Sequence, residues 1–201
     1  GADVLDTQLL QLLKDLRKKI AKQKNVPPFV VFQDPSLEEM CTHYPVSMEE
    51  LKQISGVGNG KAIKFGAPFI ELIKKYVADN DIERPVDLII KTQANKSQLK
   101  VSIIQNVDRQ IGLDDIARAK GITYDDILKE IEAIVNSGTK LNLNYFVDEV
   151  LDDDRQDEVF DYFRSAENDS IDAALKDLGE TDYTREEIQL MRIKFMSELG
   201  N

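Results

Sequence analysis

The sequence predicts an all-α protein made of two domains, and three observations lead to that prediction. Apolar residues recur at helical spacing along most of the chain, and helix start and stop signals separate these segments. The net charge of −11 lies wholly in residues 141–201, which hold 6 Lys+Arg against 17 Asp+Glu, whereas residues 1–82 hold 11 of each. A neutral front and an acidic back favour separate modules with different partners.

Composition excludes several protein classes. No apolar run reaches the roughly 18 residues of a membrane-spanning helix, so we expect no membrane partner. The N-terminus shows neither a charged nor an apolar signal-peptide region, so we expect none. The single cysteine, Cys41, excludes an internal disulfide and is typical of a reducing cytoplasm.

The first helix is predicted over about residues 5–24. Its apolar positions, spaced as on one face of a helix, are Leu5, Leu9, Leu12, Leu16 and Ile20. Pro27-Pro28 ends it, and the short apolar run Phe29–Phe32 predicts a buried extended or 3₁₀ piece. A further helix is predicted from Asp34-Pro35, with Ser36 and Glu39 as a capping-box pair.

A second start signal of the same type, Ser47 to Glu50, precedes a short helix that ends at a glycine-rich stretch. The last helix of this group is predicted over about residues 60–80, with Pro68 near a kink or a restart. Its apolar positions are Ile63, Phe69, Ile70, Ile73 and Val77. Residues 5–82 therefore form the first predicted domain.

Residues 83–98 are predicted to be a linker, because Pro85 and the polar run TQANKS follow the first group. The second domain, residues 99–201, is predicted to contain two helices joined at Gly121-Ile122-Thr123, with Asp126 and Thr123 capping the second and Gly138 ending it. The alternation of Leu141, Leu143 and Tyr145 predicts a short strand or extended hook. Acidic helices over about 147–166 and 169–178 follow, and Thr184 with Glu187 opens a last helix to about 199.

The stretch SGVGNGKAI, residues 55–63, is the most informative motif. It is not a nucleotide-binding P-loop, because a helix precedes it and Ala62 stands where the metal-binding hydroxyl is needed. A dinucleotide fingerprint also fails, since Lys61 occupies the place of the third glycine. Two interpretations stay open. The turn can hold a nucleic-acid phosphate with its amides and with Lys61 and Lys64, or it can be a tight connection with Val57 in the core.

The first helix is basic. It carries Lys14, Arg17, Lys18, Lys19, Lys22 and Lys24, of which Lys14, Lys18 and Lys22 form a single i, i+4 stripe. Like charges at this spacing mildly destabilise a helix, so an anionic partner is favoured, although a solvated surface face explains the same pattern. Lys74 and Lys75 add positive charge on the last helix of the group.

These motifs resemble a known family. Residues 12–76, with a basic first helix followed by VPPFVVF, DPSLEEM, ISGVGNGK and FGAPF, resemble an HRDC domain of RecQ-type DNA helicases and RNase D. The segment GLDDIARAKGITYDDILKEIEAIVNSGTKLNLNYFV resembles the helix-turn-helix module that follows HRDC in some bacterial RecQ helicases. The two resemblances imply the C-terminal region of a RecQ-family ATP-dependent DNA helicase.

The resemblance implies a five-helix bundle followed by a second helical domain of helix-turn-helix or winged-helix type. It implies weak single-stranded DNA binding and a role in substrate choice during DNA repair and recombination, in a bacterial, cytoplasmic, nucleoid-associated protein. ATP and magnesium would belong to an absent motor domain, so we expect no cofactor here. The candidate nucleic-acid-binding residues are Lys14, Arg17, Lys18, Lys22, Phe29, Gly56, Gly58, Lys61 and Lys64, and Phe29 either stacks on a base or packs in the core.

Competing functions remain at this point. Both domains can instead be protein-binding or intramolecular modules, with the helicase core as one partner, and an RNA-processing protein can use an HRDC domain for RNA. The second helix of the helix-turn-helix opens with Asp125 and Asp126, and carboxylates repel the phosphates of duplex DNA. Cys41 and His43 lack a third orienting group, and Asp152-Asp153-Asp154 lacks calcium-loop spacing, so we expect neither catalysis nor a metal site.

Overall fold

The computed structural model describes residues 5–84 and 94–201. The chain folds as two compact units, residues 1–91 with 136–138 and residues 92–135 with 139–201. The first unit contains α1 (Thr7–Lys24), α2 (Pro28–Val31), α3 (Asp34–His43), α4 (Met48–Leu51) and α5 (Asn59–Asp79). The helices that follow are α6 (Ala94–Asp108), α7 (Leu113–Lys120), α8 (Tyr124–Asn136), α9 (Asn144–Val150), α10 (Asp153–Ser165), α11 (Ile171–Leu178) and α12 (Arg185–Gly200). No strand occurs in these two described ranges, which confirms the all-α fold class.

Asp6 defines the start of α1 and ties it to two other helices. Its carboxylate accepts the backbone N–H of Leu9 at 3.0 Å as the helix cap. The same carboxylate accepts the hydroxyl of Tyr44, which follows α3, at 3.0 Å and that of Tyr76 in α5 at 2.9 Å. Burial and the bond to Asp6 raise the pKa of Tyr44 to about 12. The cap therefore also fixes where α1, α3 and α5 meet.

The apolar run after Pro27 forms one helical turn, α2, so the predicted extended or 3₁₀ piece is wrong. Pro28 occupies the first turn, where its missing N–H is not needed. Arg17 of α1 holds the end of this turn, because its guanidinium donates to the Phe32 carbonyl at 2.9 Å and lies 2.7 Å from the Asp34 carboxylate. These contacts with α1 therefore stabilise α2 as a helical turn, although it has only four residues.

The helix α3 begins at Asp34 as predicted, but its predicted capping box is wrong. Gln33 precedes the helix and makes no side-chain capping bond. The Ser36 hydroxyl instead donates to the Ser55 carbonyl at 2.7 Å, and the Glu39 carboxylate accepts the Ser55 N–H at 3.1 Å. These two side chains therefore anchor the glycine-rich stretch on α3.

The start signal before α4 is confirmed. The Ser47 hydroxyl accepts the Glu50 N–H at 3.2 Å. The Glu50 carboxylate accepts the Val46 N–H at 2.7 Å and the Arg84 guanidinium at 2.6 Å. Although burial opposes ionisation, these bonds lower the pKa of Glu50. Arg84 thereby attaches the chain beyond α5 to the start of α4.

The longest helix, α5, runs unbroken through Pro68, so no restart occurs there. Ile63 was predicted to be an apolar core position, but its side chain is 67% exposed. The core of the first unit is built around Phe32, whose ring meets Phe69 edge-on at 4.9 Å and Phe65 at 6.2 Å between centroids. The other buried members include Leu9, Leu13, Leu37, Met40, Leu51, Ile54, Val57, Ile70 and Ile73.

In the second unit α12 is the central helix. Ile188, Leu190, Met191, Ile193 and Phe195 are all buried, and together they cover every side of the helix. Its capping box at Thr184 and Glu187 is present as predicted. Such all-round burial identifies α12 as the element on which the acidic helices pack.

The segment before α9 is a hook and not a strand. Leu141 and Leu143 are buried, and the Ser197 hydroxyl of α12 accepts the Leu141 N–H at 2.8 Å and donates to its carbonyl at 2.7 Å. Because a side chain satisfies both backbone groups, no neighbouring strand is needed. The predicted helix 147–166 is two helices, α9 and α10, with Asp152 capping the second through the Arg155 N–H at 2.9 Å.

The predicted linker, residues 83–98, falls largely on residues 85–93, which lie outside the described residues. Its last part is helical, since α6 begins at Ala94 and not near Leu99. The predicted boundaries of the first domain at residue 82 and of the linker at residues 83 and 98 stay predictions.

Candidate nucleic-acid interface

The glycine-rich stretch is a tight turn between α4 and α5. Gly56 adopts a φ of +77°, and a Cβ there would lie 2.7 Å from the Ser36 hydroxyl oxygen, so only glycine fits without strain. Val57 is buried in the core of the first unit. Gly58 precedes α5 and contributes no side-chain cap. The turn is therefore a core connection that also leaves a helix N-terminus without a side-chain cap.

The N-terminus of α5 presents backbone amides. The first N–H groups of a helix have no partner within it. Asn59 and Gly60 are exposed, and neither backbone N–H donates a hydrogen bond to any residue that the structure describes. Together with the partial positive charge of the helix end, two open amides suit an anionic oxygen. Sequence reasoning named Gly56 and Gly58 but missed these two residues, although they follow directly in the motif.

Lys61 is not a surface cation. Its side chain is 1% exposed, and the ammonium donates to the Val30 carbonyl at 2.6 Å. A buried ammonium needs such a partner, because an unpaired charge away from water is costly. The lysine therefore joins α5 to α2, and it does not reach a phosphate from this position.

Lys64, one turn further along α5, is exposed and lies 5.3 Å from the centroid of the Phe65 ring. Phe29, predicted to stack on a base or to pack, is buried with 4% of its surface exposed. A ring with so little exposed surface does not present a face to a base. Of Lys61, Lys64 and Phe29, only Lys64 therefore lies on the surface.

The basic residues of α1 separate into two groups. Lys18 and Lys22 are exposed, and Lys14 is partly exposed. Burial, together with the charges of Asp6 and Glu38, raises the pKa of Cys41 in α3 to about 12. The charge of Lys14 opposes this rise, because Lys14 lies close to α3. Arg17 is 12% exposed and is engaged with Phe32 and Asp34, so it acts as a structural residue. The predicted stripe of Lys14, Lys18 and Lys22 is thus at least partly exposed throughout, whereas Arg17 is not available to a nucleic acid.

The helix-turn-helix consists of α7 and α8. Gly121 ends α7 with a φ of +67°, as the predicted joint requires. Thr123 and Asp126 cap α8 reciprocally, each side-chain oxygen accepting the other's backbone N–H at 3.1 Å. The backbone bond from Thr123 lowers the pKa of Asp126. This confirms the predicted joint and cap.

The start of α8 is acidic on its exposed side. Asp125, Asp126 and Glu130 are exposed there, and the one exposed lysine among them, Lys129, lies 2.7 Å from the Asp125 carboxylate. A recognition helix normally directs its N-terminal residues at base edges, between two rows of phosphates. This charge distribution opposes that use of α8.

No group of three or more His, Cys, Asp or Glu residues is arranged to hold a metal ion within residues 5–84 and 94–201. None of the helices described there is long and apolar enough to span a membrane.

Comparison with known families matches both modules. Residues 6–73 match the HRDC domain, and residues 97–147 match the RecQ-1-like helix-turn-helix domain. Over 78 residues the chain is 45% identical to the ATP-dependent DNA helicase RecQ of Haemophilus influenzae, an alignment that covers 39% of this chain and 13% of that protein.

Two other relatives are similar. The ATP-dependent DNA helicase RecQ of Bacillus subtilis is 43% identical over 74 residues, which cover 37% of this chain and 12% of that protein. The bifunctional 3'-5' exonuclease/ATP-dependent helicase of Mus musculus is 31% identical over 102 residues, which cover 51% of this chain and 7% of that protein. The chain thus spans only a small part of each relative. An HRDC domain followed by a RecQ-1-like helix-turn-helix domain, with RecQ helicases among the similar proteins, supports a C-terminal RecQ region.

Proposed function

We propose that this chain is the non-catalytic C-terminal portion of a RecQ-type ATP-dependent DNA helicase. Its first unit would bind single-stranded DNA weakly and tune which DNA structures the motor acts on during repair and recombination. The names of the bacterial relatives support this proposal, since each is called an ATP-dependent DNA helicase. ATP and magnesium would bind in the motor domain. The protein would be located in the bacterial cytoplasm, at the nucleoid.

The observation that carries the DNA-binding proposal is the exposed pair Lys18 and Lys22, one helical turn apart on α1, and partly exposed Lys14 on the same stripe. Successive phosphates of a flexible single strand can follow such a stripe without any reading of base sequence. Lys64 and the open amides of Asn59 and Gly60 offer a second set of phosphate contacts on α5. That one DNA strand engages both sets of contacts is part of the proposal.

The proposed affinity is low for a physical reason. With Lys61 and Phe29 buried, neither the charge of Lys61 nor the ring of Phe29 contributes to binding. Base stacking on an aromatic side chain is worth about 1–3 kcal/mol per base, and this surface lacks that term. Three or four phosphate contacts alone suit a tether that holds a strand transiently near a motor.

The test is fluorescence anisotropy of a labelled oligothymidine strand titrated with the full chain. We expect a dissociation constant in the micromolar range or weaker at low salt, and a log–log salt slope of about −2 to −3 from about −0.7 per phosphate. Absence of any binding at low salt would contradict the proposal.

A second candidate function is a protein-binding or intramolecular module, for which the helicase core of the same protein is one partner. The acidic helix α10 favours it, because Asp153, Asp157 and Asp161 are exposed at i, i+4 spacing and make no ion pair within the part of the chain that the structure describes. Such a face suits a basic protein surface. This second candidate function is favoured if the anisotropy titration shows no binding of DNA.

A further inference from the structure

The exposed side of α5 carries an isoleucine that the core does not use. Ile63 is 67% exposed, the largest exposed fraction among the large apolar residues that the structure describes. Its neighbours Ala62 and Phe65 are buried, so the helix directs those two side chains to the core and Ile63 to the solvent. A β-branched residue is also a poorer helix former than lysine or glutamate. Neither packing nor helix propensity therefore accounts for an isoleucine at this position.

Ile63 belongs to a small apolar surface, the α5 strip, which consists of Ile63, Ala67 and Pro68. All three residues are exposed. Ile63 and Ala67 lie one helical turn apart, and residues at this spacing are neighbours on a helix surface. Pro68 lies one turn after Lys64, which is exposed in the adjacent row. An apolar surface and a lysine therefore lie side by side on α5.

The charge around the strip is positive. The first ten residues of α5, 59–68, contain no Asp or Glu. The first carboxylate of the helix, Glu71, lies 3.9 Å from the Lys74 ammonium, and Lys75 adds another exposed cation. A single strand of DNA complements such a surface, because its unstacked bases offer apolar faces and its backbone is anionic. A duplex fits less well, since its base faces are stacked on one another.

We propose that the α5 strip contacts the bases of a bound single strand of DNA, while Lys64 contacts a phosphate beside them. This inference rests on the proposed DNA-binding function and names the surface that the bases contact. Every base has a flat face, so such contacts need no particular sequence. An aliphatic side chain gains only from the apolar area that it removes from water, so its contribution is small. It also changes little with salt, because covering an apolar surface releases no counterion.

The test titrates the full chain by fluorescence anisotropy against labelled oligothymidine and against an abasic strand of the same length, which keeps the phosphates and lacks the bases. We expect the wild type to bind oligothymidine about 3–10-fold more tightly than the abasic strand, the gain for burying one or two methyl-sized groups. Ile63→Ala should lose most of this difference and keep the wild-type salt slope, since it removes no phosphate contact. Val101→Ala, at a position of α6 that is 49% exposed and outside the strip, is the matched control and should behave as the wild type.

Ile63→Trp tests the same contact in the opposite direction. An aromatic ring at this exposed position can stack on a base, so oligothymidine should bind at least about fivefold more tightly and the abasic strand should bind as before. Both variants should fold, because surface substitutions usually change stability little. Equal binding of the two strands by the wild type, or the wild-type difference between strands in both Ile63 variants, would overturn this inference and leave the proposed function standing. No binding of either strand by the wild type at low salt would overturn both.

Discussion

Phe32→Ala is expected to destabilise the first unit by about 3–5 kcal/mol, the range for deleting a buried aromatic ring. The ring is 1% exposed and meets Phe69 and Phe65 edge-on at 4.9 and 6.2 Å between centroids. Its removal leaves a cavity where α2 and α5 meet and also loosens the residue whose carbonyl anchors Arg17. A loss of this size is a large part of the stability of a small domain.

Hydrogen exchange of the full chain provides the measurement, because it reports on each unit separately. The slowest amides of α1 and α5 should exchange at least about 100-fold faster in the variant, at about 1.4 kcal/mol per tenfold. Those of α12, in the second unit, serve as the internal reference. Phe32→Leu keeps most of the volume and should show a smaller effect. Unchanged protection of α5 in Phe32→Ala would contradict the packing described.

Lys61→Met is expected to destabilise the first unit by about 2–3 kcal/mol. The substitution keeps a long side chain but removes the charged donor, and it leaves the buried Val30 carbonyl without that bond. Hydrogen bonds to charged groups contribute about 1.5–3 kcal/mol, and an unsatisfied buried acceptor adds a desolvation cost. The Lys61→Met substitution should therefore lower folding stability, and any change in DNA binding should be a consequence of that lower stability.

The matched control for that variant is Lys75→Met, on the exposed side of the same helix. Surface substitutions of this kind usually change stability by less than about 0.5 kcal/mol. Urea denaturation followed by circular dichroism, with hydrogen exchange assigning the transition to the first unit, measures both variants. Equal stability of the two would show that Lys61 is not the buried partner of Val30.

The contrast between Lys61 and Lys64 shows where sequence reasoning reaches its limit. Both follow the glycine turn, and both fit a phosphate-binding pattern. The structure buries the first against Val30 and exposes the second, one turn away. Which lysine turns inward depends on an acceptor 31 residues earlier in the chain. No local pattern contains that information.

Helix capping shows the same division between local and distant information. The caps at Ser47, Thr123 and Thr184 were predictable because both partners lie within one turn. The pair Ser36 and Glu39 has the same spacing but bonds to Ser55, which becomes a neighbour only after α3 and the glycine turn pack together. Helix order, the acidic second unit and the position of the turn followed from sequence, whereas the choice of exposed cations did not.

The most direct test of the central claim is the salt dependence of DNA binding by Lys18→Ala/Lys22→Ala. Both side chains are exposed on one face of α1. If each neutralises one phosphate, the double variant should bind more weakly and its log–log salt slope should be less steep by about 1.4. Lys140→Ala/Lys176→Ala changes the net charge equally at exposed positions of the second unit and should keep the wild-type slope. A double variant of α1 that retains the wild-type slope and affinity would contradict the account.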